Sequence, residues 1–331
     1  MTGISKKRFS ELKNNFYGKR IAVIGDLMLD GYFWGNVNRV SPEAPVPVVE
    51  VGDEFFRFGG AANVALNILK LGGIPYPIGI TGNDDNGTIF RNLLKENGIT
   101  DSGIISDQER PTTTKIRVIA NNQHVVRIDK ENKLPVSEEI ENRIIETIKN
   151  NFNSFDAVIL EDYNKGVLTN RVIDAAIRLA NDNQKIITVD PKFINFFSYR
   201  NVTVFKPNRK ETEDALRMRL NSDEAIEKAG NTLLEKLNTR YALVTLGEGG
   251  MAIFEKGKPL TKIATRARKV ADVSGAGDTV ISTLTMALIA GANISEAAYL
   301  ANFAGGIVCE EVGIIPIELD KLFNSVLDDE V

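Results

Sequence analysis

One cysteine, one histidine and one tryptophan are all that 331 residues hold of those types. Each scarcity removes a class of chemistry. With Cys309 alone, no intramolecular disulfide and no cysteine-based zinc site can form, which suits a reducing, cytoplasmic setting. With His124 alone, histidine-pair metal sites, Ser-His-Asp triads of the usual kind and histidine phosphotransfer relays are disfavoured. His124 sits in the alternating stretch Gln123 to Asp129 and reads as a strand residue. No run approaches the roughly 18 apolar residues of a membrane span. The first twenty residues carry no apolar core of the signal-peptide kind, so a cytoplasmic protein without a membrane partner is expected. A net charge of −4 offers no broad basic footprint, and nucleic acid is not an expected partner. Carboxylates, lysines, arginines and backbone amides remain for any chemistry.

What is present is an ordinary globular composition, 43% hydrophobic and 25% charged, enough for one large domain or two unequal ones. Arg20 to Ile24 reads as a strand, followed by helices over Ala61 to Leu71 and Asn86 to Asn97, stopped by Gly72-Gly73 and Gly98. Strands are expected at Ala157 to Leu160, Lys185 to Val189, Val202 to Phe205 and Tyr241 to Leu246. Helical stretches at Ser137 to Asn151, Asn170 to Asn181 and Ser222 to Leu237 fall among them. Strand and helix in alternation predict a parallel sheet covered on both faces. Ser41 to Val51, with three prolines, and Thr112 to Asp129, alternating around Asn121-Asn122, break that rhythm. They predict edge strands and a hairpin with one wet face, a small β lid over the open end of the α/β core.

The most informative stretch is Asp272-Val273-Ser274-Gly275-Ala276-Gly277-Asp278, which runs into the apolar helix expected over Thr279 to Ala290. Small residues at a helix N-terminus leave amides bare where the helix dipole is positive, which makes an anion cradle. A carboxylate in the same turn suits a base that takes a proton from a hydroxyl attacking a cradled phosphate. The same residues also serve as a tight connection with a dipole-favoured Asp, so the motif alone leaves both readings open.

Two further stretches bear on the choice. Phe58-Gly59-Gly60-Ala61-Ala62-Asn63 enters the first long helix with glycines that allow close ligand approach and an Asn able to meet sugar hydroxyls. Read alone, it is better explained as a packed helix entry. Asn208 and Glu211, in Asn208-Arg209-Lys210-Glu211, follow a strand at the sheet's carboxyl edge, where open α/β sheets bind ligands. That pair can gather Mg²⁺, water or phosphate oxygens. Equally, it can form an N-cap with a capping-box Glu. Gly247-Glu248-Gly249-Gly250-Met251-Ala252 matches a dinucleotide pattern formally, but a strand rather than a helix is expected after it. It is read as a turn beneath nucleotide phosphates.

With FGGAANVA, NRKE, VTLGEGG and DVSGAGD in that order along the chain, it resembles the ribokinase-like (PfkB) sugar kinases over nearly its whole length. The resemblance implies a single kinase domain over 1–331: a three-layer α/β/α core with a mainly parallel sheet and a β lid from insertions near 32–58 and 110–129. It implies ATP and Mg²⁺, with Asp278 as base and the amides of Gly275, Ala276 and Gly277 as anion hole. Asn208 and Glu211 would place Mg²⁺ and phosphates, Glu211 through water. Thr245, Gly247, Gly250 and Asn302 would line the nucleotide site, and Asp272 would hold a monovalent cation such as K⁺. Asp30, Gly59, Gly60 and Asn63 match sugar-binding positions. Ser274 stands where relatives usually carry Thr, a departure that keeps the hydroxyl.

Within that family, Gly25 to Val51, Thr114-Lys115-Ile116-Arg117, Glu161 to Gly166 and Asp190-Pro191-Lys192 resemble the branch acting on D-glycero-β-D-manno-heptose 7-phosphate. That branch makes heptose 1,7-bisphosphate for ADP-heptose and the lipopolysaccharide core. Asp162 joins the candidate substrate contacts. Lys115, Arg117, Arg127, Lys165 and Lys192 are candidates for the sugar's existing phosphate, though any one of them taken alone is better explained as a solvated surface charge. Because the chain stops soon after the kinase motifs, a separate adenylyltransferase is expected. Relatives often dimerise through the lid, and a homodimer is expected here. Other sugar kinases of the family, for ribose, fructose or a fructose phosphate, stay open as alternatives, and a catalytically silent sugar or nucleotide sensor is a remoter one.

Overall fold

A computed structural model describes residues 5–266, 272–311 and 313–329. In chain order it begins α1 (Lys6–Phe16), β1 (Arg20–Gly25), β2 (Leu27–Val40), β3 (Pro47–Gly60), α2 (Ala61–Lys70), β4 (Ile74–Gly82), α3 (Asp85–Glu96) and β5 (Ile104–Asp107). The middle comprises β6 (Thr114–Ala120), β7 (Gln123–Lys130), α4 (Glu138–Asn151), β8 (Ala157–Glu161), α5 (Asn170–Asp182), β9 (Ile186–Asp190), β10 (Val204–Phe205) and α6 (Arg209–Leu216). The last third holds α7 (Asp223–Leu237), β11 (Tyr241–Thr245), β12 (Met251–Glu255), β13 (Thr261–Ile263), α8 (Ala276–Ile289), α9 (Ile294–Cys309) and α10 (Leu319–Asp329). No helix among the described residues is long and apolar enough to cross a membrane.

Nine strands form one sheet in the order β13-β12-β11-β10-β9-β8-β1-β4-β5. From β5 to β11 every neighbouring pair is parallel, and β12 and β13 close one edge antiparallel. The apolar runs read as continuous because successive residues feed opposite cores. Ile21 and Val23 of β1 pack with Val64, Ile68, Ile281 and Leu284 on one side. Ala22 and Ile24 pack with Ile144, Ile148, Ile173 and Leu233 on the other. The architecture is a three-layer α/β/α sandwich: the alternation predicts the parallel sheet covered on both faces, and the family resemblance implies its ribokinase-like form.

The second sheet has four strands, ordered β3-β2-β6-β7. β2 and β3 form a long antiparallel hairpin whose root pairs Leu27 with Gly60, and β6 runs parallel to β2. The turn between β6 and β7 uses Asn121 and Asn122 at φ 51° and 62°, the left-handed pair that tight hairpin turns require. Two details differ from the sequence reading. β7 is exposed at every residue rather than on one face, since nothing among the described residues packs over this outer strand. β2 itself is a 14-residue strand hidden in the sequence by Gly31, Gly35 and Asn36, which break its alternation.

Parallel strands place their carboxyl ends on one edge, and here that edge is charged. β1 runs into Asp26, β8 ends at Glu161 with Asp162 next, β9 ends at Asp190, and β10 runs into Lys206. All five side chains are buried. The start of α8 meets the same edge, since Gly277 faces Asp190 and Lys206.

Candidate active site

Helix α8 begins at Ala276, one turn earlier than its apolar run suggests, because Gly275 takes the N-cap position at φ 78° with no side-chain cap. That left-handed backbone suits glycine. A methyl there would also lie 3.0 Å from Nδ2 of Asn63. Gly275, Ala276 and Gly277 line a cleft of about 760 Å³, with Asp278 in the first turn at its floor.

Asp278 is only 3% exposed. Asn63 donates through Nδ2 to its Oδ2 at 2.7 Å, and the Tyr163 hydroxyl donates to its Oδ1 at 2.7 Å. Burial raises its pKa to about 6, and the two hydrogen bonds hold it from rising further. A carboxylate so placed is largely ionised at neutral pH yet close enough to its pKa to accept a proton. The family resemblance matches Asn63 to a sugar-binding position; in the structure its side-chain amide donates to Asp278.

Around Asp278 lies a network of buried charge. Lys206 Nζ is 2.7 Å from Asp190 Oδ2, and Lys192 Nζ is 2.6 Å from Glu211 Oε1 and 3.9 Å from Asp190 Oδ1. Burial alone would pull the Lys192 ammonium down, but Asp190 and Glu211 hold it well above its ordinary value. Glu161 is fully buried, and neither of its carboxylate oxygens has a hydrogen-bond partner among the described residues. Burial, then the nearby Asp190 and Asp278, pushes Glu161 well above the usual carboxylate range.

The nucleotide-site candidates converge on the same cleft. Asn208, Thr245, Gly247, Gly250 and Asn302 all line it. Gly250, at φ 77°, lets the turn pass so close that a methyl would strike the Ile263 carbonyl at 2.0 Å. Asn302 donates to the Ala264 carbonyl at 2.7 Å. Of the two readings left open for Asn208 and Glu211, the capping box is realised: the Glu211 amide donates to Asn208 Oδ1, and the Asn208 amide to Glu211 Oε2, each at 2.8 Å. The cap occupies Asn208 Oδ1 and Glu211 Oε2, and Lys192 takes Glu211 Oε1; Asn208 lines the cleft and Glu211 is not among its lining residues.

The sugar-side candidates divide. Buried Asp30 and half-buried Arg117 pair at 2.6 Å across β2 and β6, and Gly59 abuts Asp30, where a methyl would lie 2.5 Å from Oδ2. Gly60, at φ 57°, is where the chain turns from β3 into α2. Lys115 and Lys192 reach the Tyr163 ring, their Nζ atoms 5.8 and 5.1 Å from its centre. The other three turn elsewhere. Arg127 pairs with Asp129 on exposed β7, Lys165 with Glu131 at 2.6 Å. Asp162 accepts from the Tyr199 hydroxyl and the Asn164 amide within the fold. Asp272 lies outside the cleft lining; its oxygens accept from the amides of Ser274 and Gly313. That holds it well ionised, below the usual range despite some burial.

Residues that sequence reasoning missed are Tyr163, Asp190 and Lys206, all lining the cleft. A usable signal existed for two of them: a charged residue at or just after the end of an apolar strand. Tyr163 had none beyond lying after such an end.

A family model, described as pfkB family carbohydrate kinase, matches residues 19–321. Curated relatives named "Bifunctional protein HldE" match at 38% identity over 98% of this chain (Pelobacter propionicus) and 41% over 92% (Geobacter sulfurreducens). One from Helicobacter pylori strain J99 matches at 42% over 92%. The chain spans 66%, 62% and 65% of those proteins' lengths. Among solved structures, Arabidopsis thaliana ribokinase complexed with ribose and ATP aligns over 93% of this chain and 99% of its own, with TM-score 0.71 and 19% identity. The tetrameric inhibited form of Escherichia coli phosphofructokinase-2 aligns over 93% and 99%, with TM-score 0.74 and 17% identity. At such identity these likenesses speak to the fold.

Proposed function

We propose, from the premise that this chain belongs to the pfkB family of carbohydrate kinases, that its acceptor is D-glycero-β-D-manno-heptose 7-phosphate, phosphorylated by ATP at the anomeric hydroxyl. The observation that carries the chemistry is one helical turn: Asp278 buried in the opening of α8 beside the uncapped Gly275 to Gly277 segment. In this reading Asp278 takes the proton from the attacking hydroxyl, while the α8 amides stabilise charge gathering on the transferred group. Asn208, Thr245, Gly247, Gly250 and Asn302 hold the nucleotide, and Asp30, Arg117, Gly59 and Gly60 shape the sugar end. Lys115 and Lys192, both at the Tyr163 ring, are the cations proposed for the sugar's own phosphate, Lys192 while also paired with Glu211.

Mg²⁺ suits this donor set. Among the described residues no three His, Cys, Asp or Glu form a ready-made metal cluster, and Mg²⁺ bound by one or two carboxylates plus phosphates needs none. Asn208, and Glu211 through water, supply oxygen ligands. Mg²⁺ bound there would neutralise phosphate charge. Asp272 is the proposed residue for a monovalent cation. The four-stranded sheet serves as lid, excluding water from the closed site, and its exposed Val126 and Ile128 are proposed as part of a homodimer contact.

The heptose assignment rests on the stretches from Gly25 to Val51, Thr114 to Arg117 and Glu161 to Gly166, together with the relatives named HldE, and it is confined to the kinase step. A panel of ribose, fructose, fructose 6-phosphate and D-glycero-β-D-manno-heptose 7-phosphate, read by ADP release, tests it. Highest kcat/KM for the heptose phosphate is the expected result. Preference for an unphosphorylated pentose or hexose would overturn the assignment while leaving the kinase intact.

A further inference from the structure

Tyr163 is held from four directions, more than packing a single ring requires. Asp26, buried at the end of β1, accepts the Tyr163 amide at 2.8 Å and the Lys165 amide at 3.0 Å on one carboxylate oxygen, and the Val167 amide at 3.2 Å on the other. The loop after β8 is thereby pinned. Lys115 from β6 and Lys192 from the loop after β9 lie against the ring. The hydroxyl is aimed at Asp278 Oδ1, 2.7 Å away.

We propose that Tyr163 is a positioning residue for phosphoryl transfer: its hydroxyl, with Asn63 on the other oxygen, fixes the rotation of the Asp278 carboxylate so that a free lone pair faces the acceptor hydroxyl in the cleft. The inference rests on Asp278 being the base. Burial and the charge of Asp278 push the phenol well above its ordinary value, so it keeps its proton and must be the donor. A donor at that position favours the ionised carboxylate. The other charged groups bearing on the pair are Glu161, Asp190 and Lys192 at the strand ends, with Lys115 against the ring and Lys206 acting through Glu161. None of them makes a hydrogen bond to either Asp278 oxygen.

Tyr163→Phe keeps the ring and its contacts with both lysines and removes only the hydroxyl. With the acceptor turned over in the panel, kcat should fall by about 10- to 100-fold, because one degree of freedom of the base is released. KM values for ATP and sugar should stay within about twofold, and the acid limb of kcat/KM should move upward by roughly one pH unit. A purely structural role would leave that limb in place. Wild-type kcat with an unmoved limb, a rise in kcat, or a loss confined to KM overturns the proposal. Should the variant accumulate poorly, 3-fluorotyrosine at 163, a stronger donor in the same ring, must move the limb downward; an unmoved limb again overturns it. Asp278→Asn separates the two levels. If that change leaves turnover near normal, the base assignment fails; if it abolishes turnover while Tyr163→Phe behaves as wild type, only the role of Tyr163 fails.

Discussion

Replacing Asp278 by Asn should make the protein nearly inactive and, above pH 6, more stable. The two effects share one cause. Burial lifts the Asp278 carboxyl from 3.8 to about 6, so the folded protein binds this proton more tightly than the unfolded chain does. Ionising the group in the fold therefore subtracts stability, progressively from about pH 4 to about pH 6, and by a constant amount above that. At about 1.36 kcal/mol per unit, a rise of about two units is worth about 3 kcal/mol. Asn removes that charge. Part of the gain is forfeited, because the Asn63 amide that donates to Oδ2 would meet another amide in one of its two orientations. The expected increase is thus about 1–3 kcal/mol at pH 8, shrinking to nothing below pH 4. Turnover should fall by about 10²–10⁴-fold or more through loss of the base, with ATP binding kept. Urea unfolding at pH 8 and pH 4, with ADP release measured in parallel, reads both. A variant that is less stable at pH 8, or that turns over normally, would refute the account of Asp278 as a buried, ionised base.

Three other changes test separate parts of the site. Gly275→Ala must adopt φ 78° and crowds Asn63, so a loss of about 1–2 kcal/mol in unfolding free energy should accompany a fall in kcat of about tenfold or more; unchanged kcat would separate the α8 entry from catalysis. Lys206→Met strands Asp190 in the interior and should destabilise by about 3–5 kcal/mol, nearer the lower figure because Lys192 is also close, with Asp190→Asn in the same chain restoring most of it. Denaturant midpoints of the single and double variants decide this, and equal midpoints would show the pair to be unimportant. Gly59→Ala presses on Asp30 and should raise KM for the sugar about tenfold while ATP KM holds within about twofold; a change in ATP KM alone would put Asp30 on the wrong end of the cleft.

Much of this architecture is legible in the amino-acid order because its signals are local. The strand Arg20 to Gly25, the helices stopped by Gly72 and Gly98, and the Gly-Ala-Gly-Asp entry to α8 each depend on residues within a few positions of one another. The pairing of Asn63 with Asp278 spans 215 residues, and that of Tyr163 with Asp278 spans 115; no local rule links them. Tyr163 follows the carboxyl end of β8, whereas Asn63 and Asp278 sit in the first turns of α2 and α8, which pack against each other. The Asn208-x-x-Glu211 segment shows a different limit: one spacing serves both a helix cap and a ligand site, and it takes the Lys192 contact to show that Glu211 belongs to the site's charge network. Arg127 was indistinguishable from Arg117 in an alternating run, yet Arg117 sits on a strand with neighbours on both sides and Arg127 on an outer strand paired with its own Asp129.

The hairpin of β2 and β3 has mechanical consequences. Its root pair, Leu27 with Gly60, leads straight into α2, while its tip at Val40 and Pro47 lies 13 residues away. At about 3.3 Å per residue that arm is roughly 45 Å long, so a pivot of about 5° at the root swings the tip through roughly 4 Å. The leverage also runs in reverse: whatever grips the far end trades a wide, weak displacement there for a short, forceful one beside Asp30 and Gly59.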